Sequence, residues 1–308
     1  MEPMIHQACL YGSDQEFLEM AVPFVRDGLA DGEPVLVTTT SGNLELLGEA
    51  LGGDAAQVDH AETAYYGRRT AQRATAFTRY WRRNSRHRRV RILAEPVWQG
   101  RSARDVLAWK RMESGLNLLL DDTGIWMICP YDLRSVGAGI AEDALRTHPS
   151  VCADGRTGRP SGSYADPLDF IGGCDAAPLP APPPDATSAP IDEINDVRRF
   201  VTDEAYRRGL AGEHASMLAV AAHEAARYLG MPLTAGVWAG FGALICDLRR
   251  PGKAVSDPLA GFRPPGPIER SEDGLWLARQ ICDHVDVRAD AAGSTIRLQA
   301  AGPRLQTG

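Results

Sequence analysis

The stretch CDAAPLPAPPPDATSAP, residues 174 to 190, limits the fold more than any other part of this chain. Proline fixes φ and carries no amide hydrogen. A run this rich in it excludes a helix interior or a central strand and favours extended polyproline backbone. The segment is expected to be an interdomain linker, with domains at residues 1–173 and 191–308. A chain of 308 residues is long enough for two such domains, each with its own core.

Before the linker, apolar runs alternate with amphipathic stretches. MIHQACLY precedes EFLEMAVPFVRDGLADG, EPVLVTTT precedes NLELLGEALGG, and a helical stretch near residues 69–83 precedes RVRILAEP. ARDVLAWKRMESGLNLLL, GIWMICPYD and AEDALRTH continue the alternation. Continuous apolar strands between helices are what a parallel sheet covered on both faces requires. The fold class expected is α/β, with a doubly wound, mostly parallel sheet. The Gly-rich residues 150–173 are expected to form an irregular tail on this domain.

In such sheets ligands bind beyond the carboxyl ends of the strands. The first apolar run delivers His6, Cys9 and Tyr11, RILAEP delivers Glu95 and then Trp98, and WMICPYD delivers Cys129, Tyr131 and Asp132. Glu113 and Asn117, one helical turn apart, and Arg101 are placed in the same crevice. All eleven are expected to converge on one edge as a ligand site. Where a phosphate-cradling loop would need GxxxxGK[ST], the first strand is followed by YGSDQEF, so there is no P-loop.

The ordered set HQACLYGSDQEFLEMAVPFVRDGLADGEPVLVTTT, AEPVWQGRS, ESGLNLLL, ICPYD and THP resembles the MEDS sensory domain of actinobacterial and methanogen regulators, over about residues 4–150. The resemblance implies a RecA-like fold lacking the P-loop. It also implies small-molecule or redox sensing rather than catalysis, and leaves the ligand and any cofactor unknown. A competing reading rests on side-chain chemistry. Imidazole and thiolate suit transition metals, so His6 with Cys9 is a candidate haem or metal anchor. Cys9, Glu95, Glu113 and Cys129 are a candidate set for a recruited enzyme.

After the linker come two helical stretches, IDEINDVRRFVTDEAYRRGL and HASMLAVAAHEAARYLG. TAGVWAGF and ALICDLRR follow, then the helix GLWLARQIC, then HVDVRAD and STIRLQA. Helices over one face of a mostly antiparallel sheet give an α/β sandwich. This order resembles the GHKL ATPase domain (HATPase_c) of histidine kinases, and most closely the anti-sigma-factor kinases.

In that family one helix carries an activating glutamate and, four residues on, a magnesium-binding asparagine; here the positions hold Glu224 and Tyr228. The adenine-reading aspartate is replaced by Arg250, with the following glycine kept as Gly252. Arginine offers only donors and does not pair with the adenine amino group. In the phosphate-binding glycine turn the first glycine is replaced by Glu272, a carboxylate that repels a triphosphate, and the second is Gly274. The last motif survives as Gly293 and Thr295. The resemblance thus implies an ATPase shape with weak or absent ATP and magnesium binding, a pseudokinase in which Glu224 is a residual base and no residue is assigned a catalytic role. Tyr228, Trp238 and Phe241 are expected to fill the vacated cleft.

The formal charge of -7 argues against a dedicated nucleic-acid or anionic-membrane protein. The basic run RYWRRNSRHRRVR straddles a helix end, where cations complement the dipole, so no direct nucleic-acid contact is expected. No apolar run approaches the roughly 18 to 20 residues of a membrane span, and MEPMIHQACLYGSD is not a secretory signal. The six cysteines are scattered without a CxxC pair, which fits reduced thiols. The expected protein is a cytoplasmic transcriptional regulator. It senses a small ligand, holds a protein partner such as a sigma factor or its antagonist, and is a possible homodimer. An active ATP-dependent anti-sigma-factor kinase is the remaining alternative.

Overall fold

Strand and helix alternate from the start of the chain, as β1 (Ile5–Tyr11), α1 (Asp14–Ala30), β2 (Val35–Thr39), α2 (Ser41–Leu51), β3 (Asp59–Glu62), α3 (Thr70–Asn84), β4 (Val90–Ala94), α4 (Ala103–Leu119), β5 (Ile125–Asp132) and α5 (Ala138–Thr147). Two short strands and a helix complete this part, β6 (Ser150–Val151), β7 (Arg159–Pro160) and α6 (Pro167–Asp175). This computed structural model describes residues 2–301 apart from 157, 211, 241, 253, 254, 256, 268, 269, 271 and 272. The chain divides into two compact units, Met1–Ala176 and Ala177–Gly308.

The sheet of the first unit runs β3-β2-β4-β5-β1-β6-β7. Its strands are parallel except for the antiparallel β6–β7 pair. Because side chains alternate across a strand, each strand supplies two layers. One layer packs Cys9, Val35, Val37, Leu93 and Ile128 against Phe17, Met20, Phe24 and Leu47 of α1 and α2. The other meets α3 and α4. The helices start at side-chain caps: Ser13 accepts from the Glu16 amide, and Ser102 and Asp105 form a reciprocal capping box.

Two expectations are corrected here. Residues 150–173 are not an irregular tail: β6 adds to β1, and α6 buries Phe170, Ile171 and Cys174. Asp166 caps α6 and Pro167 occupies its first turn, where a missing amide hydrogen costs nothing. The Pro-rich segment is also shorter than its composition suggests. Cys174 and Asp175 belong to α6, and residues 187–190 belong to the next strand.

The second unit consists of β8 (Thr187–Ile191), α7 (Ile194–Arg207), α8 (Glu213–Leu229), β9 (Leu233–Gly240), β10 (Ala243–Pro251), α9 (Asp273–Ile281), β11 (His284–Asp290) and β12 (Gly293–Ala301). Its sheet runs β11-β12-β10-β9-β8 and is antiparallel throughout. Pro190 is tolerated in β8 because that strand is an edge with one free side. Alanines of α8 at 215, 219, 221, 222, 225 and 226 are buried, and their small side chains allow close approach of the neighbouring helices. Among the described residues no helix is long and apolar enough to cross a membrane.

Candidate functional site

In the first unit the chain leaves β2 toward β3 on one side and leaves β4 toward β5 on the other. The crevice between the carboxyl ends of β2 and β4 is therefore a topological switch point, the usual ligand position in open α/β sheets. A cavity of about 430 Å³ opens there. Its walls include Tyr11 from β1, Asn43 from α2, Glu95 and Trp98 after β4, and Asp132 and Arg134 at the end of β5.

Glu95 organises this edge. Its carboxylate accepts from the Tyr11 hydroxyl at 2.7 Å, from the Asn43 amide at 2.9 Å and from the Thr39 hydroxyl. Burial, and then the Glu95 charge, push the Tyr11 phenol well above its ordinary pKa, so it stays a donor. Arg73 of α3, absent from the sequence expectations, supports the floor. It is fully buried and donates to the carbonyls of Thr63, Tyr66 and Glu95 and to the hydroxyls of Thr38 and Thr63. Burial lowers its pKa to about 10, which leaves it charged at neutral pH. Trp98 differs from these groups: its side chain lines the cavity, while its indole Nε1 is buried from solvent and has no hydrogen-bond partner.

On the opposite layer of the sheet a second polar group is fully enclosed. His6, Glu113, Cys129 and His148 place one donor atom each within 4.8 Å of one another. Cys129 Sγ lies 3.4 Å from His6 Nε2, and Glu113 Oε2 lies 3.9 Å from His6 Nε2 and 3.7 Å from His148 Nε2. The tautomers follow from the surroundings. Asn117 turns its NH₂ to the carbonyls of Ser114 and Thr147, so its oxygen faces His6 Nδ1 at 3.0 Å and that nitrogen carries the hydrogen. His148 Nδ1 faces the Ala144 carbonyl at 2.8 Å and is likewise the donor. Both Nε2 lone pairs then point into the cluster.

Burial dominates the protonation of these groups. It lowers His6 to about 4, against a smaller opposing contribution from Asn117, and holds His148 well below its ordinary value. It raises Glu113 to about 7, partly offset by the Arg73 charge, and raises the Cys129 thiol well above its usual range. Glu113 Oε2 and His148 Nε2 are buried without hydrogen-bond partners.

Eight of the eleven residues expected on one edge therefore fall into two groups, and three into neither. Tyr11, Glu95, Trp98 and Asp132 line the cavity, while His6, Glu113, Asn117 and Cys129 form or brace the buried cluster. Tyr131 stands between them, stacked on Trp98 at 6.1 Å and edge-on to His148 at 5.8 Å. Arg101 lies over the Trp109 ring at 3.9 Å and donates to the Val97 carbonyl. Pairing His6 with Cys9 as an anchor is overturned: three residues apart on a strand, they face opposite layers, and Cys9 packs with Tyr11 and Phe17. The same parity separates Cys9 and Glu95 from Cys129, and Glu113 meets Cys129 from α4 on that other layer. His148 was legible only as part of the THP motif.

In the second unit, Glu224 of α8 pairs with Arg227 at 3.1 Å, and Tyr228 is partly buried against the core. A side chain at Gly274 would meet the Glu224 carbonyl oxygen at 2.8 Å, so α9 begins in direct contact with α8. Arg250 donates to the Leu229 carbonyl at 2.9 Å, closing the end of α8 where carbonyls lack helical partners. Gly252 has φ +72, a turn conformation that favours glycine. Glu272 and Phe241 lie outside the described residues.

Trp238 corrects a further expectation. Val237 faces the helices, so its neighbour faces away, and Trp238 lies under Arg297 at 4.8 Å instead of filling a cleft by α8. Thr295, beside the inward Ile296, faces the same way as Trp238, and Ser294 is the buried hydroxyl on the helix side. Asp247 is held by Arg297 through two contacts of 2.6 Å. His223 Nδ1 is buried without a hydrogen-bond partner.

The chain matches no curated protein. Residues 5–149, which contain the whole cavity wall and all four members of the buried cluster, match the family model described as MEDS, the MEthanogen/methylotroph, DcmR Sensory domain.

Proposed function

We propose that this chain is a regulatory sensor whose first unit, read as a RecA-like fold without a P-loop, binds a small polar molecule between the ends of β2 and β4. The observation that carries this reading is the polar cavity of about 430 Å³ at the topological switch point of the sheet. Tyr11, Asn43, Asp132 and Arg134 supply its polar groups, the Trp98 side chain contributes to its wall, and the volume suits a molecule of modest size. Ligand occupancy then shifts the population of chain conformations and, with it, affinity for a partner.

The second unit is read as a GHKL-type sandwich that has left ATP chemistry and holds a protein such as a sigma factor or its antagonist. Three features support this. The turn read as phosphate-binding packs at Gly274 directly on the backbone of Glu224, with no room for a side chain between them. Arg250 is engaged at the end of α8, and Tyr228 stands where the metal-binding asparagine would be.

Native mass spectrometry of the full chain after exposure to fractionated cell extract tests the first part. A small molecule should be retained by the wild type and lost or weakened in Arg134→Ala, a change at the cavity wall; retention indifferent to that change would place the site elsewhere. Calorimetry with magnesium-ATP should show no binding. Saturable heat that disappears in Glu224→Ala would restore the kinase reading.

A further inference from the structure

The buried cluster of the first unit is a different kind of site from the cavity, and nothing in the sensor reading uses it. Its donors come from four places in the chain: His6 on β1, Glu113 on α4, Cys129 on β5 and His148 immediately after α5. We propose that these four side chains bind a single divalent transition metal of the zinc class, through two Nε2 nitrogens, one thiolate and one carboxylate oxygen.

The distances fit a tetrahedral ion. Metal bonds of about 2.0–2.3 Å to nitrogen, oxygen and sulfur set neighbouring ligand atoms about 3.3–3.8 Å apart. Three of the six separations, 3.4, 3.7 and 3.9 Å, lie close to that range and all six are within 4.8 Å, so the wider pairs have to draw together to close on an ion. The donor set is selective as well, because imidazole and thiolate favour zinc and its neighbours over calcium or magnesium.

Hydrogen bonding around the rings supplies an independent argument. A ligating histidine ordinarily donates its other ring N–H to an oxygen that fixes tautomer and orientation. Both imidazoles do so here, His6 to Asn117 and His148 to the Ala144 carbonyl. The two inward lone pairs face one carboxylate and one thiol, a group with more acceptors than hydrogens to share. That surplus leaves Glu113 Oε2 and His148 Nε2 unpartnered. An ion satisfies all four atoms at once. Binding releases the thiol proton, and the carboxyl proton where Glu113 carries one. A dication with one thiolate and one carboxylate is neutral overall, which a fully buried position favours.

Such an ion ties β1, β5, α4 and the end of α5 together, so its first effect is on the rigidity of the unit. The test uses the full chain, stripped with a chelator under reducing conditions and titrated with cobalt(II) and then zinc(II). One equivalent of cobalt should bind with a thiolate-to-cobalt charge-transfer band, zinc should displace it, and zinc should raise the unfolding temperature. Cys129→Ser should abolish the band, and His148→Gln should weaken binding. Asn117→Ala, a change at a positioning residue, should keep the band while lowering affinity about 10- to 100-fold. No thiolate band in the wild type overturns the proposal. So does a band that survives unchanged in both His148→Gln and Cys129→Ser. If Cys129→Ser fails to fold, the wild-type spectrum and His148→Gln decide the matter.

Discussion

Arg73 in the first unit and Arg250 in the second are both drawn in to bond backbone carbonyls, yet they complete different tasks. Arg73 joins the ends of β2 and β4 to the segment after β3, beside the cavity that Glu95 lines, and in the same unit Trp98 Nε1, Glu113 Oε2 and His148 Nε2 are buried without partners. Arg250 closes the last turn of α8, and Gly274 in the first turn of α9 rests on Glu224. The difference lies in what surrounds each arginine: beside Arg73 stands a polar cavity, whereas Arg250 serves helix capping.

The largest expected effect tests the supporting half of that contrast. Arg73→Ala takes a donor from the carbonyls of Thr63 and Tyr66 and one of two from the Glu95 carbonyl, removes a fully buried charge and its bonds to the Thr38 and Thr63 hydroxyls, and should cost about 3–5 kcal/mol, the range for breaking a buried charged network. Urea unfolding followed in the first unit measures it, and a loss below 1 kcal/mol would mean that Arg73 supports little. Next, Gly274→Val drives a branched side chain into the α8 backbone and should destabilise the second unit by about 1–3 kcal/mol. A neutral result would indicate an open space between α8 and α9, with room for a nucleotide. Tyr11→Phe removes one donor from the buried Glu95 carboxylate and should cost about 1–2 kcal/mol, with faster hydrogen exchange at the ends of β1 and β4. The smallest effect, about 1 kcal/mol, is expected for Arg250→Ala, with exchange quickening in the last turn of α8 only. Loosening that spread through the whole second unit would give Arg250 a wider role than capping.

The apolar runs that became β1, β2, β4 and β5 were plain in the sequence, because a strand covered on both faces has to be apolar throughout. β3 was not, since its residues Asp59, His60, Ala61 and Glu62 lie half-buried or exposed at a sheet edge and carry no hydrophobic signal. β8 was concealed by its proline, and α6 by Gly172 and Gly173 among its apolar residues. Most of the polar residues singled out do sit in the cavity wall or the buried cluster. The division between the two was hidden, because it depends on which way each strand residue faces. His6 and Cys9 are near neighbours in sequence and are separated by the thickness of the sheet. Arg73 was missed because it lies in the polar-looking stretch TAQRATAFTRYWRRN, where nothing marks it as the one arginine of that helix that is fully buried.

Asn117 has a consequence that reaches beyond this chain. Its amide is oriented by two main-chain carbonyls, so the side on which the His6 ring keeps its lone pair is written into the backbone at positions 114 and 147. That choice is heritable through a single codon. In a relative carrying lysine or arginine there, the oxygen would be replaced by a donor and the ring would have to turn its hydrogen inward. The residue at 117 thus decides whether the neighbouring imidazole offers an electron pair to its interior.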